Sequence, residues 1–401
     1  YSTFMSLERE PQQHNENETR DKFNAKLSEL AVYWLKLKNL WEQTATSRDP
    51  LTNNDPDTEI AGLEEKIAPI LIELLNASGA ERELLYEKAR KIRDENTDKK
   101  IQVRGVIEVS NICRANCLYC PMRRDNLPTT EKIRITPKQI YNQVKATKKE
   151  GITNFFMQSG EDPQIIPVVL EALSLIKNDP ETRDIKIVLN LGDHLPNTYS
   201  KLHEAGADGY LIKHETSDKE LHRLMRPHST VEQRVSHLLQ ARQAGMHIGT
   251  GVIVGLPGQT DQSLAQDIIF AGRIGSEQMV SCSPFIPGET TPLAGEQAGD
   301  FFKTLNMIAI YRLLFPAARI PAVSNLDSAK LSTRPPDLKI SGQSAGINAG
   351  ANGITINVTP PAIRDIYSIY DVKTREIVDF SKAKRIEKET GLTLDLDDKD
   401  T

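Results

Sequence analysis

The sequence predicts an α/β fold, a (β/α)8 TIM-type barrel carried behind an N-terminal helical extension. Eight short apolar stretches rich in β-branched residues succeed one another between residues 103 and 357, and helical patterns separate them. The span they occupy, 101–375, is close to the roughly 250 residues that such a barrel takes as one domain. Parallel neighbours need a crossover, so alternation of this kind implies a parallel sheet. No repeat at a fixed period points instead to a solenoid.

Composition agrees with that fold. Of 401 residues, 38% are hydrophobic and 26% charged, which suits a soluble globular chain and sets aside wholesale disorder. The 50 Lys and Arg stand against 55 Asp and Glu for a formal net charge of -5, with the signs interspersed, so nucleic acid is not an implied partner. No apolar run reaches the roughly 18–20 residues of a membrane-spanning helix, and the opening YSTFMSLEREPQQHNENETR lacks the apolar core of a signal peptide. The expected location is the cytoplasm, with no membrane partner.

Residues 1–58 read as a tail, an amphipathic helix and a linker. The polar residues 5 to about 20 read as disordered. Phe23, Leu27, Leu30, Trp34, Leu37 and Trp41 then recur every three or four residues, the stripe of one helix face, which is expected to dock on the rest of the protein. The stretch 44–59, rich in Pro, Asn and Asp, reads as the linker. Residues 59–100 hold two more helical patterns, 60–76 and 81–96, that lead into the barrel. Its strands are expected at 103–110, 154–158, 185–190, 209–213, 248–254, 279–283, 320–323 and 353–357. Helices are expected between them, among others at 136–150, 166–177, 231–244, 262–274 and 300–315. Residues 376–401 read as a helical, acidic tail.

The chemistry of such a barrel sits on the loops after its strands. The first of these loops reads SNICRANCLYCPMRRDN and spaces Cys113, Cys117 and Cys120 as C-x3-C-x2-C. Three thiolates can cap three irons of a 4Fe–4S cluster and leave the fourth open to a ligand. A zinc site would want a fourth Cys or a His at short spacing, and the next His is His194, far along the chain. A zinc site or a chance cluster are the weaker alternatives. Cys282, the remaining cysteine, reads as a small buried apolar residue, so one cluster is expected.

That spacing, with Tyr119 just before the last cysteine, resembles the radical S-adenosylmethionine (SAM) superfamily. Further along, QSGEDP (158–163), HETSDKELHRLMRP (214–227), VGLPGQT (254–260) and PFIPGETTPLAGEQAGDF (284–301) resemble, in order and spacing, the HydE-type FeFe-hydrogenase maturases. The similarity runs from about residue 60 to about 375. Methylornithine synthase and biotin synthase are more distant relatives that share the barrel. The resemblance implies a cluster on Cys113, Cys117 and Cys120, which are then both metal ligands and catalytic residues. It also implies SAM chelated by the open iron and cleaved to a 5'-deoxyadenosyl radical, a small-molecule substrate, and an electron donor such as ferredoxin or flavodoxin.

The same resemblance assigns cofactor contacts. Gln158, Ser159, Gly160 and Glu161 close the second strand, where the superfamily places a turn against the amino group of SAM. An ammonium needs acceptors, and glycine lets the backbone approach it. Glu215, past the fourth strand, and Arg234, on the following helix, match positions that contact the cofactor; a structural Glu-Arg pair would explain them without a ligand. His214 and His222 read as buried hydrogen bonders rather than metal ligands. Arg123, Arg124 and Asp125 read as braces of the cysteine loop. GLPGQT lacks a nucleotide phosphate-loop pattern and reads as a turn packing near the adenine.

Departures from the HydE pattern concentrate on the substrate side. Pro121 follows Cys120 where glycine is usual, Lys213 stands where arginine is usual, and the end of the seventh strand reads Val323-Ser324-Asn325-Leu326-Asp327. NVTPPAIRDIYSIY (357–370) keeps Tyr367 and Tyr370 but has Ile363 in place of a tyrosine. Lys213, Ser324 and Asn325 supply ammonium, hydroxyl and amide donors suited to a carboxylate, and with Tyr367 and Tyr370 they are the expected substrate contacts. The expected function is a HydE-like radical SAM enzyme acting on a small, amino-acid-derived substrate that carries a carboxylate or sulfur. The alternatives are a genuine hydrogenase maturase and a non-enzymatic iron-sulfur carrier.

Overall fold

Parallel strands joined by helices make up most of the computed structural model, which describes residues 9–45, 58–129, 131–275, 278–367 and 376–397. The strands are β1 (Lys100–Ser110), β2 (Asn154–Ser159), β3 (Lys186–Asn190), β4 (Gly209–Leu211), β5 (His247–Val254), β6 (Met279–Pro284), β7 (Gly353–Asn357) and β8 (Thr393–Asp395). All pair in parallel, in the order β6-β5-β4-β3-β2-β1-β7, with β8 on the first three residues of β1. The expected seventh strand, 320–323, does not form as a regular strand. Pro321 has no N–H to give to a ladder, and the segment joins the circuit through two single bridges, Met279 with Arg319 and Pro321 with Gly353. Those bridges complete the ring of neighbours from β6 to β7. The stretch expected as the eighth strand is β7, and β8 is an addition that the sequence did not announce.

The helices are α1 (Arg9–Ala45), α2 (Thr58–Leu75), α3 (Gly79–Thr97), α4 (Pro137–Lys148), α5 (Ile165–Asn178), α6 (Pro196–Glu204), α7 (Lys219–Met225), α8 (Val231–Gln243), α9 (Asp261–Arg273), α10 (Phe301–Leu314), α11 (Gly342–Asn348), α12 (Pro361–Arg364) and α13 (Phe380–Thr390). Three barrel helices start the same way. Thr136, Thr230 and Thr260 each accept the N–H three residues on, while that residue's side chain, Gln139, Gln233 or Ser263, accepts the threonine N–H. Each such cap satisfies two end groups that the helix leaves unpaired and contributes about 1 kcal/mol.

Period-two alternation sorts the strand residues. Val103, Ile107 and Val109 of β1 face outward to the helices, whereas Val106, Phe156, Leu211, Met279 and Val188 meet inside the ring as an apolar layer. Lumen space comes from β5, whose Gly249 and Gly251 turn inward: a Cβ at Gly251 would stand 2.2 Å from Ser281 Oγ and 3.1 Å from Lys213 Cε.

The N-terminal stripe docks as expected. Phe23, Leu30, Trp34, Leu37 and Trp41 are buried, and Trp34 meets Phe315 edge-on at 5.7 Å between ring centroids. Both tryptophans close over Gly272, where a Cβ would stand 2.8 Å from each ring. The expected disorder of residues 5–20 is corrected from Arg9 on: these residues continue α1. Pro11 falls in the first turn, where a missing N–H costs nothing, and the following residues extend a helix already nucleated and anchored by the stripe. Most of the expected linker, 46–57, lies outside the described residues. Among the described residues, no helix is long and apolar enough to cross a membrane.

Candidate active site

β1 delivers the cysteine loop to the end of the barrel where its strands finish. Cys113 and Cys117 are buried and Cys120 half-buried, and all three line one cavity of about 180 Å³. Leu118 N–H donates to Met225 O at 2.9 Å, Arg124 N–H to Ala115 O at 2.8 Å, and Glu161 N–H to Cys113 Sγ at 3.3 Å. Arg123 donates to Asn116 Oδ1 at 3.0 Å, and Asn116 to Asp125 at 2.8 Å, so both charged residues brace the loop. Gly160 lies where the β2 turn touches it. A Cβ there would stand 2.3 Å from the Ile112 carbonyl oxygen and 2.9 Å from Cys113 Cβ, a space only glycine fits.

Opposite the thiols stands a wall of charge. Glu161 accepts from Arg114 at 2.9 Å and from the Asp193 N–H at 3.2 Å. Arg234 donates to Asp193 at 2.7 Å and to Lys213 O at 2.9 Å, and lies 4.0 Å from Glu161. Burial alone would push the Asp193 carboxyl up; Arg234 and then Arg226 outweigh it and hold it below its usual value. The alternative of a Glu215–Arg234 pair is not what forms. Glu215 instead meets Lys213 at 3.2 Å and the Tyr119 hydroxyl at 3.3 Å. Its φ of 66° is left-handed, unusual for a residue with a Cβ and concentrated at functional sites. Its N–H donates to Gly251 O and its carbonyl accepts from Ile253, both at 3.0 Å, which fixes that conformation against β5.

Behind this turn, Asp267 of α9 ties it down. It accepts from Ser217 Oγ at 2.7 Å and from Ser217 N–H at 2.5 Å, with Gln259 Nε2 at 3.5 Å. Gln259 also takes the N–H groups of Gly255 and Leu256, at 2.7 and 3.3 Å, so the GLPGQT turn spends on itself the donors a phosphate loop would present. Burial pushes His214 down to about 3 and His222 to about 4, so both imidazoles are neutral; His214 bonds Thr250 Oγ1 at 2.8 Å. Asp267 moves the other way, pushed by burial from 3.8 to about 7. The folded wild type therefore holds this proton through a range in which the unfolded chain has lost it, and its stability falls as pH rises from about 4 to about 7. Asp267→Asn removes that dependence. In urea unfolding of the two apo-proteins, the variant is expected to gain on wild type between pH 5 and pH 8; an equal difference at both values sinks the assignment.

A second chamber of about 200 Å³ lies below the first and shares Asn190, Lys213 and Ser283 with it. Ser159, Gly160, Glu161, Glu215, Arg234 and Asn325 line the upper cavity with the three cysteines. Lys213 lines both, and Ser324 the lower. Gln158 also lines the lower chamber, where its amide is 3.3 Å from Glu108, rather than the upper cavity. Tyr367 is fully buried and packs with Cys113, Ala115, Cys117 and Met122 against the cysteine loop, lining neither chamber. Tyr370 lies outside the described residues. Sequence reasoning missed the roles of Asp193, Arg226 and Ser283; Arg226 lies within the 214–227 segment, while only positions near strand ends marked Asp193 and Ser283.

The family model for the radical SAM superfamily matches residues 107–271. The HydE subunit of the [FeFe] hydrogenase maturase of Thermotoga maritima is 38% identical over 291 residues, which are 73% of this chain and 80% of that protein. The chain belongs to the radical SAM superfamily. Among its relatives is the 3-methylornithine synthase of Methanosarcina barkeri, 28% identical over 73% of this chain and 78% of that one. The crystal structure of methylornithine synthase superposes with a TM-score of 0.69 at 26% identity, covering 82% of this chain and 94% of that chain. This radical SAM protein is thus a HydE-like enzyme that uses a 4Fe–4S cluster and SAM, with a small-molecule substrate and an electron donor.

The residues present fit those groups. The three cysteines share one cavity. Thiols ranged around a space suit a body with several irons better than one metal atom. Burial pushes the Cys113 thiol up to about 11, while the Glu161 N–H and the Arg226 guanidinium point at Cys113 and Cys117 sulfur, donors suited to thiolates. Cys282 faces the outer core, 3.7 Å from Thr304 O, and lines neither chamber.

Proposed function

We propose that this enzyme acts on a small, amino-acid-derived molecule carrying a carboxylate or sulfur, held in the lower chamber beneath the cysteines. The observation that carries the reading is a second chamber whose lining shares Lys213, Asn190 and Ser283 with the cysteine cavity. When bound, the cluster and SAM supply a 5'-deoxyadenosyl radical by one-electron reductive cleavage. The chain's part is to hold the reactants and keep water out. Cys113, Cys117 and Cys120 would hold the cluster; Glu161 and Glu215 offer acceptors to the ammonium and ribose of SAM, and Arg234 stiffens the wall between them.

The lower chamber carries both signs of charge. Arg104 is buried, bonds Thr355 Oγ1 at 3.0 Å, lies 4.5 Å from the Phe156 ring centroid and makes no ion pair with a carboxylate among the described residues. Glu108 and Gln158 stand on the same wall with acceptor oxygens. A buried cation without its own counter-ion favours an anionic group in the ligand. Lys213, already engaged with Glu215 and with Ser283 at 3.0 Å, supplies a point charge where a planar fork would bind two oxygens at once. The same reading places the enzyme in the cytoplasm with ferredoxin or flavodoxin as its donor.

A second reading, a genuine hydrogenase maturase, is favoured by the 38% identity to HydE over 80% of that protein. One experiment separates them. Reconstituted enzyme with SAM and dithionite is assayed for 5'-deoxyadenosine with each of a panel of small amino acids and with the iron-cysteine precursor used by maturases. Stimulation by a carboxylate-bearing amino acid supports the first reading; rapid turnover of the precursor and rescue of a maturase-deficient strain establish the second.

A further inference from the structure

Beyond Glu215, the HETSDKELHRLMRP segment carries a last arginine that reaches the cysteine loop. Arg226 follows α7 and its side chain is 5% exposed. One terminal nitrogen donates to Cys117 Sγ at 2.9 Å and lies 3.3 Å from the Tyr119 hydroxyl. The other is 3.2 Å from His228 Nε2 and 4.0 Å from Asp193. The adjoining Met225 carbonyl takes the Leu118 N–H, so two neighbouring residues of this segment grip Cys117, Leu118 and Tyr119 in turn. The Tyr119 hydroxyl passes the contact on to Glu215, 3.3 Å away.

Charge makes the contact more than a brace. A thiol is a weak acceptor and a thiolate a strong one, and arginine keeps its proton at any working pH. Asp193, the nearest carboxylate to Arg226, is already bonded by Arg234 at 2.7 Å. Among the charged side chains lining the upper cavity, Lys213, Arg226 and Arg234 outnumber Glu161 and Glu215. Asp193, bonded to Arg234 and 4.0 Å from Arg226, evens that count, so what is particular to Cys117 is the guanidinium donor 2.9 Å from its sulfur.

We propose that Arg226 is a positioning residue that holds Cys117 and sets the reduction potential of the cluster through a charge-assisted hydrogen bond to its sulfur. Hydrogen bonds and positive charge at cluster sulfur stabilise the reduced, more negative state and raise the potential. The proposal rests on Cys117 being a cluster ligand, and iron content tests that point separately: Cys117→Ala with a full complement of iron would remove the ligand assignment, whatever Arg226 does.

The test is a redox titration of the reconstituted full-length protein followed by electron paramagnetic resonance, on wild type, Arg226→Lys and Arg226→Gln, with iron counted in each. The expected order of midpoints is wild type highest, the lysine variant next and the glutamine variant most negative, each with about four irons per chain. A glutamine variant with full iron and the wild-type midpoint overturns the proposal. If the glutamine variant cannot keep its iron, a lysine variant that keeps it near the wild-type midpoint supports the charge. Equal loss of iron in both variants shows that Arg226 only holds the loop and overturns its part in setting the potential.

Discussion

Replacing any one of Cys113, Cys117 and Cys120 by alanine is expected to abolish cluster assembly and, with it, all formation of 5'-deoxyadenosine. The three sulfurs surround one cavity and no other cysteine reaches it, so no thiol is at hand to substitute. Cys282→Ala is the control. Its sulfur lies in the outer core, where burial pushes it up to about 12, and the change removes a small buried side chain without touching the cavity. Iron counting and Mössbauer spectra should give about four irons per chain in wild type and in Cys282→Ala. Eight irons in wild type, or loss of iron on Cys282→Ala alone, contradict a single cluster.

The second large effect separates the two sides of the charged wall. Glu215→Gln keeps the shape, removes a charge held in a strained left-handed turn, and leaves Lys213 with only Ser283. A charge-assisted hydrogen bond contributes about 1.5–3 kcal/mol, so SAM is expected to bind about 10- to 100-fold more weakly while iron content is unchanged. Arg234→Ala has a different outcome. It strips Asp193, 6% exposed, of its 2.7 Å partner and leaves the Lys213 carbonyl without that donor. Breaking a buried pair of this kind costs about 3–5 kcal/mol, so the apo-protein should lose stability as well as cofactor affinity. Unchanged SAM affinity in both variants, measured by equilibrium binding to reconstituted protein, would make these residues part of the scaffold only.

What the sequence showed was what short spacing and periodicity encode. The cysteine loop is legible because its ligands lie within eight residues, and the strands because β-branched runs alternate with helical stripes. Contacts between loops were not legible. Arg226 and Cys117 are brought together by the fold from positions 109 residues apart, and Asp193 meets Arg234 across 41. Period two also explains Gln158. It shares with Phe156 the side of β2 that faces the lumen and so lies below the turn, in the lower chamber, while Ser159, Gly160 and Glu161 line the upper cavity. Tyr367 shows the opposite limit: a motif match named the residue, while its packing against the cysteine loop depends on where 358–367 crosses the end of the barrel. The glycines of β5 could have been read from sequence, since Gly249-x-Gly251 within an apolar strand leaves one face empty and thereby marks lumen space.

All of this converges on one claim, that the cavity beneath Cys113, Cys117 and Cys120 cleaves SAM. The most direct measurement is anaerobic incubation of the reconstituted full-length protein with SAM and dithionite, with 5'-deoxyadenosine quantified against time. The account predicts its formation in wild type and in Cys282→Ala, and none in Cys117→Ala. A wild-type protein that carries a full cluster, binds SAM and yields no 5'-deoxyadenosine would contradict it, and would leave an iron-sulfur carrier in its place.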